Sequence, residues 1–379
     1  MCDRKYMLRA IELAQKGTGW TNPNPLVGAV IVKDGRIIGE GYHPRCGQLH
    51  AERNAIASLT ESAQGATIYV TLEPCCHYGK TPPCTEAIIE QGIKEVVIGS
   101  RDPNPLVAGK GAKILREHGI IVEEDFMRAE CDALNPVFFH YIVTGKPYVV
   151  MKYAMTLDGK IATHTGASKW ITGEIARNHV QKLRGRYAAI MAGIGTVLAD
   201  DPMLNCRLEG AHQPLRVIVD SSLRIPEDSQ LCRSAQQYPT VVACACPLDG
   251  ENAEKVKFLQ QSGITVVSLP KQVEGTGVRV DLRALMEWLG KRKIDSVLVE
   301  GGGQIHEAAL AEGIVNHVCA YIAPKVFGGA DAKTPVEGLG VTVPQQAAML
   351  GNQSITQLGE DILLEYDVVG GMKDVYWNC

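Results

Sequence analysis

Residues 50–84, HAERNAIASLTESAQGATIYVTLEPCCHYGKTPPC, decide how the chain is read. His50, Ala51 and Glu52 open a segment with helical apolar spacing, ATIYVTLEP is β-rich, and a second helical segment, CTEAIIEQG, starts at Cys84. A hydrolytic deaminase needs this order of residue types. A zinc ion with three protein ligands and one open position makes a nucleophile from water near neutral pH. A carboxyl close to the metal but not bound to it then carries the proton. His50, Cys75 and Cys84 are the expected zinc ligands and Glu52 the expected acid–base. Helix starts favour the thiolate, the form that binds metal.

The general signature has Cys-x-x-Cys after the proline, and here Tyr78 stands in the second cysteine position. The third ligand is therefore Cys84 or His77. Cys84 is favoured because Pro82 and Pro83 deliver it to a helix start, whereas Cys76 is too close to Cys75 to share the ion easily. A closed structural zinc site would want a fourth Cys or His, and a silent relative usually lacks the acid, so Glu52 speaks for catalysis.

Working outward, residues 4–16 have helical spacing and residues 17–25 are turn-rich. LVGAVIVKDGRIIGEGY (26–42) reads as two strands around an Asp34–Gly35 turn, and EVVIGS (95–100) is a short apolar strand. Strands alternating with helices after a hairpin indicate an α/β sandwich with a mixed sheet. HYIVTGKPY (140–148) is the best junction, which predicts domains 1–145 and 146–379. Beyond it, PYVVMKYAM, YAAIMAG, PLRVIVDSS, YPTVVACAC, GITVVSL, DSVLVEGGG and VNHVCAYIAP are strand-like. Helical segments are expected at 174–186, 251–262, 281–292 and 304–313, so this is a second α/β domain.

A chain of 379 residues exceeds one ordinary core, which agrees with two domains. Its formal charge of −4 and 6% aromatic content argue against a nucleic-acid partner and for small substrates. The N-terminus lacks the unbroken apolar core of a signal peptide, and no stretch reaches about 18 apolar residues, so a cytoplasmic protein without a membrane partner is expected. Twelve scattered cysteines then read as reduced thiols. In EGGGQIHEAAL (300–310), Gly301 to Gly303 could bring backbone amides to a phosphate at a helix start. His306 in the sixth position departs from the dinucleotide fingerprint, so phosphate site and plain turn both stay open.

Several long strings resemble one family. TNPNPLVGAVIVKDGRIIGEGYH (21–43), HAE, TLEPCCHYGKTPPC and DPNPLVAGKG (102–111) are similar to the deaminase half of a bifunctional riboflavin-biosynthesis family. MKYAMTLDGKIA (151–162), SKWIT (168–172), GIGTVLADDPMLNCR (193–207), VEGGG and IAPKVFGG (322–329) are similar to its reductase half. The resemblance implies an N-terminal cytidine-deaminase-like three-layer α/β/α domain and a C-terminal dihydrofolate-reductase-like α/β domain. It implies hydrolysis of the 2-amino group of a ribosylaminopyrimidinone phosphate, then reduction of the ribosyl side chain to ribityl by NADPH. A homo-oligomer is also expected.

Carried onto this chain, the resemblance places Asn24, His43, His77, Lys80 and Asn104 against the deaminase substrate. It places Ala154, Trp170, Thr196, Asp200, Ser222 and Gly301, Gly302 and Gly303 against NADPH, and Lys152, Ser168, Arg184, Leu204, Arg207 and Glu300 against the reductase substrate. The bare sequence leaves other readings open. Asn24 and Asn104 suit Asn-Pro turns, Arg184 suits a solvated helix face, and Trp170 suits a core. One rival function is a tRNA-editing deaminase with a C-terminal RNA-binding domain, and another is a noncatalytic zinc scaffold. Negative charge and sparse aromatics weigh against the first, Glu52 against the second.

Overall fold

The computed structural model describes residues 2–78, 82–104, 107–274 and 277–369. Two compact units divide the chain between Gly145 and Lys146.

The first unit contains α1 (Cys2–Gln15), β1 (Gly28–Lys33), β2 (Arg36–Tyr42), α2 (Ala51–Ala57), β3 (Thr67–Leu72), α3 (Cys84–Glu90), β4 (Glu95–Ser100), α4 (Lys110–Glu117), β5 (Ile121–Glu123), α5 (Arg128–Asp132) and α6 (Pro136–Thr144). The sheet order among the described residues is β2-β1-β3-β4-β5. β1 runs antiparallel to β2 and β3, while β3, β4 and β5 are parallel through the α3 and α4 crossovers. Alternation along β1 makes the layers. Ala29 and Ile31 join a core with Ile68, Val70, Ile98 and Leu115, whereas Val30 and Val32 join Met7, Ala10 and Tyr69 on the other face. Because both faces are covered, the strands read as nearly unbroken apolar runs. Gly41 lets α2 lie directly on β2, since a Cβ there would stand 2.3 Å from the Ala55 amide nitrogen. That close approach brings His50 and Glu52, at the start of α2, down to the sheet.

The second unit contains β6 (Tyr148–Thr156), α7 (Glu174–Arg186), β7 (Ala189–Gly193), α8 (Ile194–Asp200), β8 (Leu215–Val219), α9 (Gln230–Arg233), β9 (Thr240–Cys244), α10 (Ala253–Gln261), β10 (Ile264–Ser268), β11 (Lys271–Glu274) and β12 (Gly277–Val280). It continues with α11 (Leu282–Gly290), β13 (Ser296–Val299), α12 (Gly303–Ala311), β14 (His317–Ala323), β15 (Leu350–Leu358) and β16 (Asp361–Val368). Its main sheet has the order β10-β9-β8-β7-β13-β6-β14-β16-β15, and β11 pairs with β12 apart from it. Strands from β10 to β14 are parallel to their neighbours, and β16 closes antiparallel on β14. The same alternation builds its two cores, with Ala189, Met191 and Val217 on one face and Ile190, Ala192 and Ile218 on the other.

The expected strands and the four expected helices of this unit are present within a few residues of their predicted bounds. The hairpins β11–β12 and β15–β16 went unread. β15 is polar and almost wholly exposed, so no apolar period marks it.

Candidate active sites

In the first unit, the loops after β3 and β4 leave the carboxyl ends of adjacent parallel strands, Leu72 of β3 lying beside Ser100 of β4, and the first of these loops carries Cys75, while His50 ends the loop after β2. Glu73 follows Leu72 immediately and is buried. Its carboxylate accepts the amides of Gly109 at 3.0 Å, Gly111 at 3.0 Å and Ala112 at 3.2 Å, at the start of α4. This clamp fixes the turn that carries Cys75, and an acid suits amides at a helix start. The carbonyl of Cys75 then accepts the amides of Cys84 and Thr85, at 3.1 and 3.2 Å, which docks the start of α3 on it. Arg53 of α2 donates to the carbonyls of Pro82 and Pro83, at 3.1 and 2.8 Å, tying the two ligand-bearing helices together.

These ties bring His50 Nδ1 to 3.5 Å from Cys75 Sγ and 3.4 Å from Cys84 Sγ. All three donor atoms lie within 4.8 Å of one another. The Cys84 thiol holds Cys75 down to about 4, while its own pKa is pushed up by Cys75 and by burial. A divalent cation among these atoms lets both sulfurs be thiolates, so one imidazole and two sulfurs fit zinc. Glu52 lies buried beside them, its pKa raised to about 7 by burial and next by the Cys75 charge. Cys76 is half-buried, and no cluster of potential metal donors among the described residues includes it. His77 likewise stays out of the cluster. Its buried Nδ1 has no hydrogen-bond partner among the described residues, which leaves a polar atom available to a ligand.

Asn24 Nδ2 stands 3.1 Å from His43 Nε2, and His43 Nδ1 lies 3.0 Å from the Leu49 carbonyl oxygen. With Nδ1 as donor, Nε2 accepts from Asn24. The His43 ring meets the His50 ring edge-on at 5.4 Å, so Asn24, His43 and the ligand cluster are contiguous. Asn104 sits in the loop after β4, where its amide donates to Asp102 at 2.8 Å. Asp102 is buried, and burial pushes its pKa up to about 7. Lys80 lies outside the described residues. Sequence reasoning singled out Glu73 only as part of Glu73-Pro74-Cys75, without a role of its own, and missed Asp102. The only local signal for Glu73 is an acid at the exit of a buried strand, and its partners lie far along the chain.

In the second unit the assigned positions again gather where parallel strands end. Thr196 and Asp200 lie on α8 after β7, Ser222 follows β8, and Glu300 to Gly303 follow β13. Gly301 has φ 142° and Gly302 φ 80°. A Cβ at either would sit 3.3 or 3.4 Å from Thr196 Oγ1, so the glycines keep backbone open beside that hydroxyl. An open turn at the start of α12, facing a hydroxyl, fits the phosphate end of a dinucleotide. Ser168 donates to Asp200 at 3.2 Å, joining a proposed substrate contact to a proposed cofactor contact. Trp170 is 63% exposed with the Arg177 guanidinium over its ring at 4.7 Å, so it is no core residue. Ala154 lies in β6, paired with Tyr321.

Glu300 organises the polar centre. Arg184 grips it with two bonds, at 2.6 and 2.8 Å, and Lys152 Nζ stands 3.8 Å away. Burial alone would raise the Glu300 pKa, but Arg184 and Lys152 outweigh it and the net displacement is downward. Burial lowers the Lys152 pKa, opposed by Glu300. Arg184 is largely withdrawn from solvent, its side chain 14% exposed, and its remaining nitrogen donates to the Asn205 carbonyl at 3.0 Å. Its fork is thereby committed to Glu300. Arg207 keeps an exposed side chain while its amide donates to Gln181 at 2.8 Å, and Leu204 is buried at φ 48°.

A three-layer α/β unit with a His–Cys–Cys cluster and a buried Glu defines a zinc-dependent deaminase. A parallel sheet with a glycine-rich turn that suits a dinucleotide phosphate, beside a half-buried charged cluster, fits a reductase. Residues 1–100 match the family model described as "Cytidine and deoxycytidylate deaminase zinc-binding region", and residues 147–364 match "RibD C-terminal domain". The chain is 54% identical over 369 residues to "Riboflavin biosynthesis protein RibD" of Actinobacillus pleuropneumoniae, covering 97% of this chain and 96% of that one. It is similar to the Acinetobacter baumannii RibD structure (form 1) at 39% identity and TM-score 0.84, covering 97% of this chain and 99% of that one. A Thermotoga maritima structure described as a diaminohydroxyphosphoribosylaminopyrimidine deaminase/5-amino-6-(5-phosphoribosylamino)uracil reductase is similar at 39% identity and TM-score 0.82, with the same coverage.

The chain belongs to the RibD family of riboflavin biosynthesis proteins, zinc-dependent deaminases fused to NADPH-dependent reductases. The match of the second unit to a reductase domain disfavours an RNA-binding role for it. Among the described residues no helix is long and apolar enough to cross a membrane.

Proposed function

We propose that residues 1–145 deaminate 2,5-diamino-6-ribosylamino-4(3H)-pyrimidinone 5′-phosphate and that residues 146–379 reduce the ribosyl side chain of the product to ribityl. The observation that carries the first half is the buried Glu52 beside three clustered donor atoms, one fewer than the four ligands of a closed zinc site. Zinc bound by His50, Cys75 and Cys84 supplies a Lewis acid that makes the attacking water acidic near neutral pH. Glu52 carries one proton of the attacking water to the ring nitrogen and then the second proton of that water to the amino group, which departs as ammonia. Its raised pKa suits both directions of transfer. Asn24 and Asn104 offer amide donors and acceptors to the ring edge, and His77 with Lys80 receives the phosphate end.

In the second half NADPH supplies the hydride. Thr196, Ser222 and the Gly301–Gly303 turn hold the cofactor with Ala154, Trp170 and Asp200. Lys152 and Glu300, locked by Arg184, orient the substrate with Ser168 and Leu204, while exposed Arg207 presents its fork to the phosphate. The protein works in the cytoplasm as a homo-oligomer on small molecules, without nucleic acid.

The test is metal analysis with a coupled assay of ammonia release and NADPH oxidation on the pyrimidine phosphate. Glu52→Gln should keep its zinc and lose ammonia release by roughly 10²–10⁴-fold. Cys84→Ser should lose that zinc while His77→Ala keeps it. Full deamination by Glu52→Gln would overturn the assignment.

A further inference from the structure

The antiparallel register of β14 and β16 sets His317 opposite Asp367 and Cys319 opposite Glu365. Partners directly opposite share a face, and positions two apart along a strand do as well. All four side chains therefore project to one side of the sheet. We propose that His317, Cys319 and Glu365 form a second divalent-metal site, in the reductase unit, for a borderline ion such as zinc.

The geometry is that of a ligand set and its support. The Glu365 Oε1 atom lies 3.7 Å from His317 Nε2 and 3.8 Å from Cys319 Sγ, and all three donors fall within 4.8 Å of one another. Zinc–ligand bonds of about 2.0–2.3 Å at tetrahedral angles require donor separations of roughly 3.3–3.8 Å. The cluster thus needs little movement to close on an ion. The other imidazole nitrogen, Nδ1, donates to Asp367 at 2.9 Å. Asp367 is itself held by the Asn352 side-chain amide at 3.0 Å. A ligating histidine characteristically hands its second N–H to a carboxylate, which fixes the tautomer and aims the free nitrogen at the metal. Here Nε2 is the nitrogen aimed at Cys319 and Glu365.

Access and chemistry narrow the ion. His317 is 20% and Glu365 28% exposed, so an ion can enter, while Cys319 is buried. Lys152 of β6 is the register partner of Cys319 of β14, and its positive charge opposes any cation here, so the ion must be one that the thiolate binds strongly. Thiolate and imidazole select zinc, cobalt or cadmium over calcium or magnesium. On binding, the ion displaces the thiol proton of Cys319 and any proton on His317 Nε2, and both are released to solvent.

This inference does not depend on the deaminase assignment, and its test separates the two. Full-length protein equilibrated with zinc and freed of excess should hold about two equivalents per chain, falling to about one in Cys319→Ser and in Glu365→Gln. Zinc-free Cys75→Ser/Cys84→Ser protein titrated with cobalt should still develop thiolate-to-cobalt absorption, and adding Cys319→Ser should abolish it. Glu365→Gln is nearly isosteric, so a folding defect in Cys319→Ser would leave the zinc count decisive. One zinc per chain in the wild type, or no cobalt–thiolate absorption in the doubly substituted protein, would show the cluster to be a half-buried ion pair and overturn the proposal.

Discussion

Replacing Glu300 with glutamine tests the polar centre of the reductase unit most directly. The side chain is 4% exposed and balances Arg184, itself 14% exposed, and Lys152. Removing one partner of a buried pair costs about 3–5 kcal/mol, because the remaining charge stays desolvated. Lys152 softens the loss. Its pKa is already lowered by burial, so without Glu300 it can shed its proton more readily. The lower end, about 3 kcal/mol, is therefore expected, and in a domain of 150–250 residues it lowers the melting temperature by roughly 6–12 °C.

Calorimetry of the full chain at neutral pH reads this directly, with ammonia release by the first unit as a control for intact protein. The sign with pH follows from the depressed Glu300 pKa. Its stabilisation is complete above the unfolded value near 4.5 and is lost as pH falls through the lower folded value. The gap between wild type and Glu300→Gln should stay constant between about pH 5 and 7 and shrink under more acid conditions. A variant that melts within about 2 °C of wild type at neutral pH would refute the claim that Glu300 balances the two cations.

Two further outcomes follow from the two loop anchors. Glu73→Gln should destabilise the first unit by about 1–3 kcal/mol and weaken zinc retention, since its carbonyl oxygen can still accept from Gly111 and Ala112 but its NH₂ would then face the Gly109 amide, donor against donor. Denaturant unfolding and metal analysis would read it, and wild-type values in both would sink the clamp. Gly301→Ala should raise KM for NADPH about tenfold with ammonia release unchanged, because a side chain at φ 142° is strained and would crowd Thr196. Unaltered NADPH kinetics would remove that turn from the cofactor site.

How much of this was legible in the sequence depends on the span over which each feature is built. The β1–β2 hairpin with its turn at Asp34 and Gly35, and the helix starts at His50 and Cys84, are local, and their residue types announce them. The choice of Cys84 over His77 also came from local chain direction, Pro82 and Pro83 leading into α3. Glu73 and Glu300 were different. Each works through partners dozens of residues or more away, so nothing beside them in the chain tells a clamp from a solvated acid. Arg184 in KLRGR shows the same limit, because helical spacing could not say that its face meets Glu300. The His317 to Glu365 cluster needs the register of two antiparallel strands, and β16 carried no assignment from its pattern.

The two anchors solve one problem with different partners, and the difference bears on what each site can bind. Glu73 is satisfied by hydrogen bonds from neutral amides rather than by a bonded cation, and its charge acts on Cys76 and Asp102. That surrounding favours a cation between Cys75 and Cys84. Glu300 is instead met by two cations, which leaves a net positive charge at the proposed substrate centre, to which exposed Arg207 adds. That surrounding favours a phosphate. Exchanging the two kinds of partner would defeat both sites: cations around Glu73 would compete with zinc, and amides around Glu300 would leave its charge to repel the phosphorylated substrate. The nature of the counter-group, more than the carboxylate it holds, therefore sets the sign of charge that each loop presents to its ligand.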